Sequence, residues 1–162
     1  MAQPSWYVPT VKAVRYLLGA QYLVGGLGWW IKMFPFPSIW DGADFPQKHA
    51  VATEMIATGW MYHAAKAIEV LTGLALISDV FVPLMLVVSM PVAVTTFFLD
   101  FWIWHSVWDW FAGRTPFAVV RAKFLDMVYF GGCVLAMQGY LMFSYLHLYR
   151  PMLRRKSTPE MP

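Results

Sequence analysis

Charge is scarce in this 162-residue chain: Asp, Glu, Lys and Arg make up 13% of it, against 59% hydrophobic residues and a mean hydropathy of +0.52. Soluble domains carry about 25% charged residues, so a globular surface in water would lack polar cover. Cysteine is nearly absent as well. The single Cys133 excludes an intrachain disulfide, a Cys-x-x-Cys redox pair and a cysteine-held iron–sulfur or structural zinc site, and its thiol reads as core packing. The sequence has no Gly-x-Ser-x-Gly elbow, no His-Glu-x-x-His zinc motif and no phosphate-cradling glycine loop. Residues 1–10 carry no basic n-region and precede no short apolar stretch with a cleavage site, so the first helix is expected to stay in the mature protein. Nucleic acid is not an expected partner. Although the net charge is +3, Arg150, Arg154, Arg155 and Lys156 cluster just beyond the last apolar run, where they suit anionic headgroups.

What the chain does have is apolar length. Four runs, at about 14–34, 55–77, 81–104 and 124–149, each match a hydrocarbon core about 30 Å thick. They predict an all-α domain over 13–149, a polytopic membrane four-helix bundle, with an N-terminal segment 1–12 before it and a basic tail 150–162 after it. Phe34-Pro35-Phe36-Pro37 ends the first run, because proline lacks an N–H and restrains its predecessor. Ser78-Asp79 before Val82-Pro83 marks a tight return, Pro91 is a candidate kink, and Arg150-Pro151 stops the last run. The polar connection ending at Glu54, with Trp40, Asp41, Asp44, Lys48 and His49, is the longest candidate for a cap outside the membrane.

Four spans place both termini on one side and the two long connections on the other. Tryptophan sorts with the connections: Trp29, Trp30, Trp40, Trp60, Trp102, Trp104, Trp108 and Trp110 fall there, and only Trp6 lies at the terminal end. Indole rings favour the membrane–water interface, so Trp29, Trp30, Trp102, Trp104 and Trp108 are read as interface aromatics. A pigment, quinone or partner-helix surface is the alternative. Lysine and arginine divide almost evenly between the two sides, and the compact basic tail favours cytoplasmic termini.

The candidate chemistry lies in the second run. Tyr62, Lys66, Glu69 and Gly73 recur at helical spacing and share one stripe. An ionisable group at bilayer depth costs roughly 2.5–3.5 kcal/mol on insertion scales unless it meets a partner or lines a polar cavity. Two readings stand. In one, Lys66 and Glu69 neutralise each other, with the Tyr62 hydroxyl nearby, and fix helix packing. In the other, Glu69 titrates at a proton-accepting or quinone-headgroup site tuned by Lys66.

His63, His105 and His147 stand at different depths, which argues against a bis-histidine haem and leaves single-histidine pigment ligation as a lesser option. The commoner outcome for His63 is a hydrogen-bonded interior histidine. Asp100, His105 and Asp109 read as solvated interface groups, with too few ligands for a metal site. Asp126 is expected to favour the start of the fourth helix through its macrodipole. Gly19, Gly25, Gly26 and Gly28, with Gly132-x-x-x-Ala136, are expected to be close-packing surfaces.

The run Lys66-Ala-Ile-Glu69-Val-Leu-Thr-Gly73-Leu-Ala-Leu-Ile77, followed by Val82-Pro83-Leu84, resembles the second-helix signature of the DoxX-like family of small four-helix membrane proteins, with Arg15 and Gly19 opening the first span in keeping. The tryptophan density and the aromatic segment Phe101 to Phe111 depart from a plain DoxX-like pattern. The resemblance implies a multi-pass protein of the bacterial inner membrane with cytoplasmic termini, joined to other membrane subunits of a redox or energy-converting assembly. It makes quinone the candidate cofactor. The expected role is structural or quinone-positioning. A catalytic quinone-reducing subunit, a small transporter and a pigment-binding accessory protein are the alternatives.

Overall fold

The computed structural model describes residues 5–32, 46–101 and 103–149, and these are helical with no strand among them. Trp40, Asp41, Asp44, Trp102, Arg150, Arg154, Arg155 and Lys156 lie outside the described residues, as does the side chain of Asp100.

Helix α1, Tyr7–Ile31, closes at Lys32, whose left-handed backbone (φ 48°) turns its N–H onto the Gly28 carbonyl. The second apolar run is not one helix. Helix α2, Pro46–Ala57, stops at Thr58-Gly59, and α3, Met61–Ser78, starts afresh. Gly59 takes φ +79°, and the Thr58 hydroxyl accepts the Met61 N–H at 3.1 Å, capping the new helix. Neither residue is charged, so the hydropathy pattern runs straight across the break.

Asp79 (φ 63°) and Phe81 (φ 54°) make the tight return after α3. The left-handed region costs a non-glycine residue about 1–2 kcal/mol, and an ion pair to Arg15 of α1 holds Asp79 there. Helix α4, Val82–Phe101, continues through Pro91 and is followed by the short α5, Trp104–Phe111.

The last column begins earlier than its hydropathy suggests. Helix α6, Phe117–Asp126, follows an extended Pro116, widens into a π-helical turn over Met127–Gly132, and resumes as α7, Cys133–Ser144, before the short α8, Leu146–Tyr149. Asp126 therefore sits at the far end of α6, and the macrodipole role expected for it at a helix start does not apply.

Four long columns close a ring: α1 packs on α3, α3 on α4, α4 on α7 and the π turn, and α7 back on α1. Leu18, Tyr22, Leu76, Val82, Leu86, Val134 and Leu141 fill the centre. The Tyr149 hydroxyl donates to the Pro83 carbonyl at 2.7 Å, tying the end of the chain to the α3–α4 return.

Several polar residues lie inside the bundle and many large apolar ones lie outside it. Arg15, Glu69, Thr72, Ser89, Ser106, Asp126 and Gln138 are buried, whereas Leu17, Val24, Leu27, Leu71, Leu74, Leu84, Val87, Phe98 and Phe143 are exposed. Among the described residues, one stretch, Val82–Phe111, which takes in α4 and α5, has the length and composition to cross a membrane, its most apolar window having a mean hydropathy of 2.1. Only 22% of its most apolar window is buried inside the protein.

Candidate functional site

Glycine sets how closely α1 approaches α3. A Cβ on Gly26 would stand 2.7 Å from Val70 Cγ2 and 3.0 Å from both the Lys66 carbonyl oxygen and the Val70 nitrogen, so this face of α1 lies on the backbone of α3. Gly19 and Gly73 repeat the contact further along. A Cβ on Gly73 would meet Leu23 Cγ at 2.6 Å and the Gly19 carbonyl oxygen at 2.8 Å. Gly25 has a different neighbour: its missing Cβ leaves room for the Glu69 carboxylate, whose Oε2 would lie 3.1 Å away.

Into that space α3 presents its charged pair. Lys66 Nζ donates to both carboxylate oxygens of Glu69, at 3.0 and 2.9 Å. Glu69 is buried and Lys66 half-buried. The Lys66 ammonium also stands over the Tyr62 ring, 5.5 Å from its centroid. Tyr62 packs edge-on to Trp29 with ring centroids 4.6 Å apart, and the His63 ring lies 5.7 Å from Trp29 and 5.1 Å from Trp30. His63 Nδ1 is buried without a hydrogen-bond partner, so the interior histidine expected to be bonded is unsatisfied on that nitrogen. The candidate residues Tyr62, His63, Lys66, Glu69 and Gly73 thus converge with Trp29 and Trp30 on the α1–α3 seam. Trp104 and Trp108 lie elsewhere, exposed on α5.

Two other polar centres stand beside this one. Gln138 of α7 is fully buried. It accepts a hydrogen bond from the Tyr22 hydroxyl of α1 and donates to the Leu86 carbonyl at 2.7 Å and Ser89 Oγ at 3.1 Å, both on α4. One amide therefore joins three columns. At the connection end, Lys48 of α2 donates to Asp126 at 2.6 Å, with side chains 13% and 1% exposed. This pins α2 to the end of α6, next to the π turn. Nothing in the sequence pattern assigns Gln138 a role beyond its being a lone amide in a long apolar run, and Lys48, expected in a cap outside the membrane, is instead bonded to Asp126.

Asp109, expected as a solvated interface group, has a partly exposed side chain, and its carboxylate faces Arg114 at 3.4 Å. Among the described residues no three His, Cys, Asp or Glu side chains gather as a metal-binding group. Comparisons with protein-family models, curated proteins and solved structures found no match to this chain.

Proposed function

We propose that the chain is a membrane-embedded four-helix subunit of the DoxX-like kind, which positions a quinone or a neighbouring subunit within a redox or energy-converting assembly. The inverted exterior is the observation that carries the membrane part. Leucine, valine and phenylalanine face outward around the ring while Glu69, Asp126 and Gln138 turn inward, which in water would be an aggregation surface and in lipid is the expected arrangement. The 20 residues of α4 are about 30 Å long, the thickness of a hydrocarbon core.

Cys133, the only cysteine in the sequence, is exposed on α7 and not packed in the core as expected, and it offers the test. In native membranes it should resist a water-soluble maleimide and react once the protein is unfolded in SDS. Fast labelling in intact membranes would refute a lipid-facing α7.

The site reading rests on the place of the Lys66–Glu69 pair. Both partners lie on α3, so the bond fastens no two helices together, yet the carboxylate is buried against Gly25. A burden of that kind is expected where a carboxylate serves a ligand or a proton. Purification of the full chain from its own membranes in mild detergent, with its quinone and its companions quantified, tests it. Stoichiometric quinone in the parent and its loss from Glu69→Gln, with the same companions retained, is the expected outcome. A protein that carries neither quinone nor companions refutes it.

A further inference from the structure

At the end of the bundle away from Arg15 and Tyr149, α4, α5 and α6 line a half-open cavity of about 370 Å³. Its walls are wholly apolar, including Phe101, Trp104, Val107, Phe117 and Phe124, and Arg121 lines it with the aliphatic stem of its side chain alone, the charged end lying outside the walls. Arg121 is exposed and makes no hydrogen bond or ion pair among the described residues. Its neighbours differ: Arg114 faces Asp109, and Lys123 donates to Ser106 Oγ at 2.9 Å. Phe117 and Phe124 flank Arg121 a helical turn before and after it, so all three occupy one face of α6.

The combination selects its occupant. A neutral hydrocarbon would leave the guanidinium without a counter-charge, and a small soluble anion would leave the apolar walls uncovered. An amphiphile with an anionic head satisfies both. The cavity is near the small end of ligand pockets, which span roughly 300–1,000 Å³, so it suits part of one acyl chain rather than a whole lipid. Trp104 is 58% exposed beside it, as expected of an indole at headgroup level.

We infer that the α4–α5–α6 cavity binds one acidic phospholipid of the surrounding bilayer, with part of an acyl chain between α5 and α6 and the phosphate on the Arg121 guanidinium. Guanidinium and phosphate oxygens match as a two-pronged, charge-assisted pair. The inference rests on the membrane reading above.

The full chain, reconstituted in nanodiscs of equimolar phosphatidylglycerol and phosphatidylcholine, can be released gently into a mass spectrometer and its retained lipids counted. The parent should retain phosphatidylglycerol in preference. Arg121→Gln should reduce that preference about tenfold, the contribution of one hydrogen bond to a charged group. Val107→Trp fills the cavity while keeping the cation, and should lower retention of both lipids. If that variant unfolds, the exposed Arg121→Gln decides alone. Equal retention of the two lipids by the parent, or an unchanged preference in Arg121→Gln, overturns the site. A parent chain that enters the nanodiscs without preference sinks only this inference, whereas one that fails to enter sinks the membrane reading and this site with it.

Discussion

Replacing Gly26 by alanine tests the α1–α3 seam most directly, because the steric penalty and the helix-propensity gain have opposite signs and can be separated. The new Cβ would lie 2.7 Å from Val70 Cγ2, where ordinary contact begins at 3.4 Å. Val70 cannot swing away freely, since a β-branched side chain in a helix has essentially one rotamer. The Lys66 oxygen and Val70 nitrogen, at 3.0 Å, are backbone and cannot yield without moving α3. The helices must therefore part by several tenths of an ångström, an overpacking cost of about 1–3 kcal/mol. Alanine returns about 0.5–1 kcal/mol through helix propensity, leaving a net loss of roughly 0–2.5 kcal/mol. Gly139 on α7 supplies the control, for its Cβ would meet nothing within 4 Å, and Gly139→Ala should be neutral or stabilising by up to about 1 kcal/mol. Unfolding by SDS titration in mild detergent, followed by circular dichroism, reads both. If Gly26→Ala proves as stable as Gly139→Ala, the close approach of α1 to α3 is wrong.

Gln138→Leu should destabilise the bundle by about 1–3 kcal/mol, because the Tyr22 hydroxyl and the Leu86 carbonyl each lose a buried partner; the same titration measures it, and Tyr22→Phe combined with Gln138→Leu should recover part of the loss. Asp126→Ala should free α2, since Lys48 loses its buried carboxylate. Limited proteolysis should then cut near Thr58-Gly59 faster than in the parent, and an unchanged cleavage rate would show that the pair does not hold α2.

The sequence exposed those parts of the fold that depend on long-range apolar patterning. The third run emerges as α4 within three residues of its expected limits, because the aspartate-containing return before it marks its start in the sequence itself, whereas α1 begins at Tyr7, seven residues earlier than expected, and ends at Ile31, short of the prolines. The break at Thr58-Gly59 was hidden because it turns on one positive φ and one hydroxyl cap, neither of which alters hydropathy. The start of α6 was hidden for the opposite reason: Arg121 and Lys123 lower hydropathy over a segment that is nonetheless helical. In the site, the stripe of Tyr62, Lys66, Glu69 and Gly73 was legible because it lies on one helix, where spacing alone decides which residues meet. Lys48 with Asp126, and Tyr22 with Gln138, join residues far apart in the chain, and no period in the sequence links them.

That difference between local and distant pairs bears on what Lys66 and Glu69 are for. Arg15–Asp79, Tyr22–Gln138 and Lys48–Asp126 each tie one helix or its return to another, and a polar bond between helices can fix register where apolar contact in lipid discriminates poorly. Lys66–Glu69 ties α3 only to itself. A buried ion pair often contributes no more than well-packed apolar side chains of similar volume, while removing one partner alone leaves an uncompensated charge and costs about 3–5 kcal/mol in fully buried cases. Lys66 is 18% exposed, so the lower end of that range applies to Glu69→Leu. Converting both, as Lys66→Met with Glu69→Leu, should restore unfolding to within about 1 kcal/mol of the parent and, if the pair serves the proposed quinone-positioning role, abolish quinone retention or companion binding. A double variant that keeps those functions would make the pair a packing feature of α3; one that stays unstable would show that α1 recognises the carboxylate itself across Gly25.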